Sequence, residues 1–189
     1  MKPSSARPSP LSRRSLLAAS AATALLMLPG CGGGGDGGSA GVGTGGTGSF
    51  TSGPIRGFGS IVVNGVRYDD AAAQVVGDGG AALARSDLRL GMVVDVSGSD
   101  VSTATDGRRS ATATSIGVRS EIEGPVSAIN AAAGTLTVLG QLVQITPTTV
   151  FDHDLRGGLA AVAVGMVVEV YGFLQPSGQY LATRIDDED

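Results

Sequence analysis

Tryptophan is absent from this 189-residue chain, histidine and cysteine occur once each, and the only lysine is Lys2. Each scarcity excludes something. A single cysteine, Cys31, cannot close an intramolecular disulfide or supply the thiolate cluster of a structural zinc site. A single histidine, His153, rules out histidine-rich metal motifs, and no G-x-S-x-G elbow accompanies it. The lack of tryptophan weakens a carbohydrate-stacking reading. Long apolar runs are missing too. The longest, Leu16 to Leu28, has thirteen residues, whereas crossing the hydrocarbon core takes about 20.

What is present begins with an address. Lys2, Arg7, Arg13 and Arg14 form a basic, acid-free start ahead of that short apolar run, the pattern of a signal peptide over residues 1–30 rather than a membrane span. Arg13 and Arg14, following Ser12 and preceding Leu16 and Leu17, resemble a twin-arginine export signal; an ordinary Sec signal with adjacent arginines is the alternative. Leu28-Pro29-Gly30-Cys31 resembles a bacterial lipobox, with a small residue before the cut and the Cys31 thiol as the acyl acceptor. Three acyl chains on a mature N-terminus hold stably where one would not. Gly32 after the cysteine resembles forwarding to an outer membrane where the cell has one. The expected location is the bacterial cell envelope, lipid-anchored at the periplasmic face or the outer membrane.

Cleavage before Cys31 leaves 159 residues with nine arginines against seventeen acids, a net charge of about −8 compared with −4 for the whole chain. An acidic, lysine-free surface repels phosphate backbones, so no nucleic-acid partner is expected. Residues 31–53 read as a lipidated cysteine and a Gly-rich flexible tether. Its Gly32–Ser49 tract cannot bury enough apolar surface to fold and reaches roughly 23 Å on average. Gly41 to Gly46 matches G-x-G-x-x-G, but no strand precedes it and no helix follows, so no cofactor is implied.

From Pro54 the pattern turns to short Val, Ile and Thr runs broken by Gly, Asn and Asp, with almost no helical period. In the second half this predicts strands over 121–129, 135–139, 142–146, 166–174 and 180–186, with Gly140-Gln141 as a tight turn. The first half repeats the order. Gly91-Met92-Val93-Val94-Asp95-Val96 recurs as Gly165-Met166-Val167-Val168-Glu169-Val170, Ala113-Thr114-Ser115-Ile116 as Ala182-Thr183-Arg184-Ile185, and Ile55-Arg56-Gly57 as Ile122-Glu123-Gly124. The consistent order indicates duplication. Asn64-Gly65 between apolar runs predicts a type I′ hairpin. Alternation puts Met92, Val94 and Val96 on one face and sends Asp95 and Glu169 outward. Closing five strands into a barrel removes exposed edges, which suits units of about 65 residues without disulfides. The expected fold is all-β: two tandem five-stranded OB-like barrels, repeat 1 over 54–119 and repeat 2 over 120–189, the latter ending in an acidic tail.

Gly57 to Asp69, the two Gly-Met-Val-Val-acid-Val motifs, and Gly124-Pro125-Val126-Ser127-Ala128-Ile129 with Gly134 to Gly140 give the chain its family likeness. Over residues 54–186 it resembles bacterial envelope lipoproteins of the domain-of-unknown-function family 5666. The resemblance implies small barrels in tandem at the envelope and brings no catalytic residues.

Candidate chemistry is sparse. His153 between Asp152 and Asp154 reads as a solvated loop, since neighbours on an extended chain diverge and zinc needs more ligands. Asp186-Asp187-Glu188-Asp189 lacks the glycine turn and spaced ligands of a calcium loop and reads as a solvated tail. Tyr171, Phe173 and Glu169 are candidate ligand contacts on an outward barrel face, with core packing of the aromatics as the alternative. The functional expectation is a non-catalytic lipoprotein, anchored through lipid on Cys31, whose barrels bind an envelope protein or glycan or serve structurally. The alternative is an envelope hydrolase or glycan-binding protein using carboxylates near His153.

Overall fold

The computed structural model describes residues 48–188. The signal, Arg13, Arg14, Cys31 and nearly all of the tether lie outside the described residues. Within them the chain is β throughout, interrupted by three short 3-10 turns. The first eight strands are β1 (Ser49–Pro54), β2 (Ile61–Val63), β3 (Val66–Asp69), β4 (Gln74–Val76), β5 (Ala82–Leu83), β6 (Val93–Gly98), β7 (Ser102–Thr103) and β8 (Arg109–Arg119). The other six are β9 (Ile122–Asn130), β10 (Thr135–Val138), β11 (Gln141–Gln144), β12 (Val150–Phe151), β13 (Val167–Leu174) and β14 (Tyr180–Asp187).

The second sheet runs β11-β10-β9-β13-β14 and closes through a parallel β11–β14 pair, giving a five-stranded barrel with β12 added along β14. Counted within the barrel, the order is 1-2-3-5-4-1, the OB-like connectivity. The first sheet runs β1-β6-β8-β3-β2, again with its third and fifth barrel strands, β3 and β8, parallel. Its ring closes just past β1, where Arg56 N–H donates to Val62 O at 2.8 Å and Val62 N–H to Gly57 O at 3.1 Å. Each barrel has its own apolar core. Ile61, Val63, Val94, Val96 and Ile116 are buried in the first, and Val126, Leu136, Val138, Val168, Val170 and Ile185 in the second.

Pairing register refines the duplication. Pro54 sits opposite Val93 and Pro125 opposite Val167; Ile55 N–H donates to Met92 O as Val126 N–H does to Met166 O. Gly53-Pro54-Ile55 is therefore equivalent to Gly124-Pro125-Val126, and Ile55 does not match Ile122 as the sequence pattern suggests. The two alignments differ by four residues, an even number, so inward and outward positions look the same in both. The strand turns to its second partner at this Gly-Pro step, a place where proline's missing N–H costs no ladder bond. The first repeat also begins before Pro54, because β1 recruits Ser49–Gly53 from the expected tether onto β6.

Two glycines mark the same irregularity in both barrels. The register slips at Ser97/Gly98 and at Tyr171/Gly172. A Cβ on Gly98 would run into Thr112 O, and one on Gly172 into Leu181 O. The hairpins are matched as well. Asn64-Gly65 takes φ of 50° and 75°, as its sequence predicts, and Leu139-Gly140 takes 49° and 77°. The second turn thus falls one residue before Gly140-Gln141, placing a leucine in the left-handed region that asparagine occupies in the first.

Candidate functional site

The outer face of the first barrel carries a row set by register: Val62 opposite Arg67, Arg67 opposite Ser110, and Ser110 opposite Ser102. Alternation explains the placement, since the flanking Ile61, Val63, Val66 and Tyr68 are buried in the barrel. The connection from β6 to β8 folds over this face. Ala104 N–H donates to Arg108 O at 2.8 Å, Gly107 N–H to Ala104 O at 2.9 Å, and the Arg108 N–H to Asp106 Oδ1 at 3.1 Å. Gly107, at φ 82°, makes the reversal. Between hairpin and row lies an open hollow of about 420 Å³ whose walls include Val62, Arg67, Ala104, Arg108, Arg109 and Ser110, with no carboxylate among its described lining residues.

Arg108 meets Asp106 at the rim at 2.8 Å, both side chains being largely exposed. Among the described residues Arg67 and Arg109 form no ion pair. Arg67 and Ser110 also line a neighbouring hollow, which Asp69 and Asp100 share. Sequence reasoning passed over this cluster. The only signal was the Arg108-Arg109 pair in a chain otherwise short of positive charge, and Arg67 joins it only through the parallel β3–β8 pairing.

The expected ligand contacts on the second barrel lie elsewhere. Tyr171 is on the outward side of β13, as alternation predicts, but the residue is 4% exposed and belongs to the apolar cluster of the first barrel. Phe173 packs partly against the same cluster. An outward face of one barrel is here an inner face of the contact between barrels, so Tyr171 presents no surface to a ligand. Its hydroxyl donates to Glu169 Oε2 at 2.6 Å. Burial, and then that bond to a carboxylate, push the phenol far above its ordinary pKa.

The contact continues through Thr183, whose Oγ1 donates to Gly91 O at 2.6 Å, and Arg184, whose Nη1 donates to Leu90 O at 3.2 Å. Arg184 also holds Asp186, with Nε at 2.6 Å and 2.8 Å from its two carboxylate oxygens, and both side chains are buried. Asp186 is therefore part of β14 and of this ion pair, a correction to the solvated acidic tail. Burial raises its pKa, with Arg184 opposing. Although Glu188 is exposed, its pKa is raised too, by some loss of solvation and then by Glu169, Glu123 and Asp186. Glu123, Glu169 and Asp186 are direct neighbours across β9, β13 and β14. Among the described residues no group of three or more His, Cys, Asp or Glu side chains is arranged to hold a metal ion.

His153 and Asp154 sit in the loop after β12 with Nδ1 and Oδ1 3.1 Å apart, at 74% and 70% side-chain exposure. Asp152 accepts the N–H groups of Asp154 and Leu155 at 2.8 and 3.2 Å, so it shapes the turn. The three residues are adjacent in sequence and do not converge on a common point.

The family model of the domain of unknown function DUF5666 matches residues 123–186, which span the second barrel. No curated protein and no solved structure matches the chain.

Proposed function

With residues 123–186 belonging to the DUF5666 domain family, we propose that this protein is a non-catalytic binding module of the bacterial cell envelope, held by lipid on Cys31 and presenting two joined OB-like barrels beyond a glycine tether. One observation carries the binding reading. The first barrel's open hollow lies over its second and third strands, β2 and β3, and under the loop joining its fourth and fifth, β6 and β8. OB folds hold ligands with that face and that loop. Among the described residues, the carboxylate-hydrolase reading rests on the solvent-exposed His153–Asp154 pair, against which no hydrogen bond holds a nucleophile.

Arg13 and Arg14 supply the export signal in this reading, and Cys31 the membrane partner. Among the described residues no helix is long and apolar enough to cross a membrane. The test is fractionation of cells making the full chain. The parent protein is expected in the membrane fraction and Cys31→Ser in the soluble fraction; membrane retention of Cys31→Ser defeats the anchor. Binding is tested by saturable retention on the immobilised full chain of a panel of envelope glycans and peptides. A panel with no saturable member defeats the binding role.

A further inference from the structure

We infer that the hollow framed by Arg67, Arg108 and Arg109 binds the oxyanion of a sugar-sized ligand, a phosphorylated or carboxylated sugar unit. This rests on the binding-module reading and names its ligand class. The first support is charge placement. Three of the nine arginines beyond the signal line one hollow without a carboxylate in its described lining, in a stretch of chain that carries seventeen acids. Of the three, Arg108 meets Asp106 at the rim at 2.8 Å, and among the described residues Arg67 and Arg109 form no ion pair. Elsewhere Arg85 meets Asp70 at 3.0 Å, Arg119 meets Asp95 at 3.1 Å and Arg184 meets Asp186 at 2.6 Å. Guanidinium groups gathered round one space repel one another, and an anion placed between them relieves that repulsion.

The second support is the duplication itself, which acts as an internal control. By register, Val62, Arg67 and Ser110 correspond to Thr137, Leu142 and Gln179. The second barrel closes with the same connectivity and no charge at those positions. It joins β13 to β14 by the short Gln175–Gln179 turn, where the first barrel inserts Ser99–Arg108 with β7. The architecture does not need these arginines, so their presence on one copy points to a task other than folding.

The third support is the chemistry of the lining. The planar guanidinium fork matches the oxygen pairs of carboxylates and phosphates. Ser110 adds a hydroxyl beside Arg67, and Val62 and Ala104 add apolar surface for ring carbons. A volume of about 420 Å³ suits one sugar unit better than a bare ion. The same oxyanion could be presented by a free sugar or by a lipid headgroup.

The test uses the full chain carrying Cys31→Ser, so that no acyl chain contributes to binding. Calorimetric titration is run with glucose 6-phosphate, glucuronate, inorganic phosphate and uncharged glucose, and sedimentation with phosphatidylinositol or phosphatidylcholine vesicles. Binding of a charged sugar, at least tenfold weaker for Arg67→Gln and for Arg109→Gln, supports the free form. The same arginine dependence on phosphatidylinositol vesicles alone supports the headgroup form. Arg109→Lys keeps the charge without the fork and is expected to fall between. Both sites are exposed, so melting temperatures should match the parent; a charged-sugar affinity that survives both Gln substitutions overturns the proposal. Inorganic phosphate or glucose binding as tightly as the charged sugars also overturns it, as does the absence of all binding. None of these results bears on membrane fractionation or on retention of other ligands, so the site can fail while the wider reading stands.

Discussion

Gly91 and Gly165 open the same repeated motif and share a left-handed backbone, at φ 84° and 94°, but only one of them touches the other barrel. An alanine at either position carries the strain of a non-glycine residue at positive φ, about 1–2 kcal/mol. At Gly165 nothing lies within 4 Å of the added methyl. At Gly91 the methyl would fall 2.6 Å from Thr183 O and 2.9 Å from Arg184 Cβ, well inside ordinary contact at 3.4 Å or more. Backbone atoms of a β-strand cannot rotate away, so the barrels must separate by several tenths of an ångström. The Thr183–Gly91 hydrogen bond at 2.6 Å and the Arg184–Leu90 bond at 3.2 Å lie in the same seam. Losing a neutral bond and one from a charged donor costs about 2–4 kcal/mol together. Gly91→Ala should thus destabilise by roughly 3–6 kcal/mol in all and Gly165→Ala by roughly 1–2 kcal/mol. Urea unfolding followed by far-UV circular dichroism measures both, and Gly91→Ala is also expected to separate the transition into two steps as the barrels uncouple. Equal losses for the two variants would refute the claim that Gly91 sits in a tight seam.

Two further outcomes follow from particular residues. Leu139→Asn should stabilise the protein by about 1 kcal/mol in the same unfolding assay, because asparagine adopts φ near 49° at less cost than leucine. In the matching turn Asn64 Nδ2 also donates to Ser52 O at 2.8 Å, and a variant no more stable than the parent contradicts the equivalence of the turns. For pH, the raised pKa values of Asp186 and Glu188 mean that the folded state holds protons the unfolded state has released. Their contribution to stability therefore falls as pH rises from the ordinary carboxylate values, 3.8 and 4.5, through the raised folded ones. Asp186→Asn should flatten that slope, while costing stability at neutral pH by leaving buried Arg184 unpaired; an unchanged slope in unfolding measured across pH 4–7 refutes the assignment.

Much of the fold was legible because β structure writes itself at short range. The alternation of Val94, Asp95 and Val96, the Asn64-Gly65 turn and the repeated Gly-Met-Val-Val segment each depend on a few neighbouring residues. Strand bounds in the second barrel fell within about two residues of those expected. Legibility ended where two answers share a parity, as with Ile55, which register pairs with the position of Val126. It also ended at Leu139, whose apolar side chain gives no hint of a left-handed turn.

The candidate sites divide along the same line. By itself the sequence determined that the described chain is all-β and duplicated, that net charge is negative, and that chemistry built on histidine or cysteine has little material, because composition and alternation are local properties. Tertiary structure decided which outward faces meet solvent. It buried Tyr171 in the first barrel's apolar cluster and closed Asp186 onto Arg184. It also brought Arg67 beside Arg109, some forty residues away, across a parallel strand pair. Alternation assigns a side chain to one side of a strand; only the packing of distant segments settles whether that side holds water, a neighbouring barrel or room for a ligand.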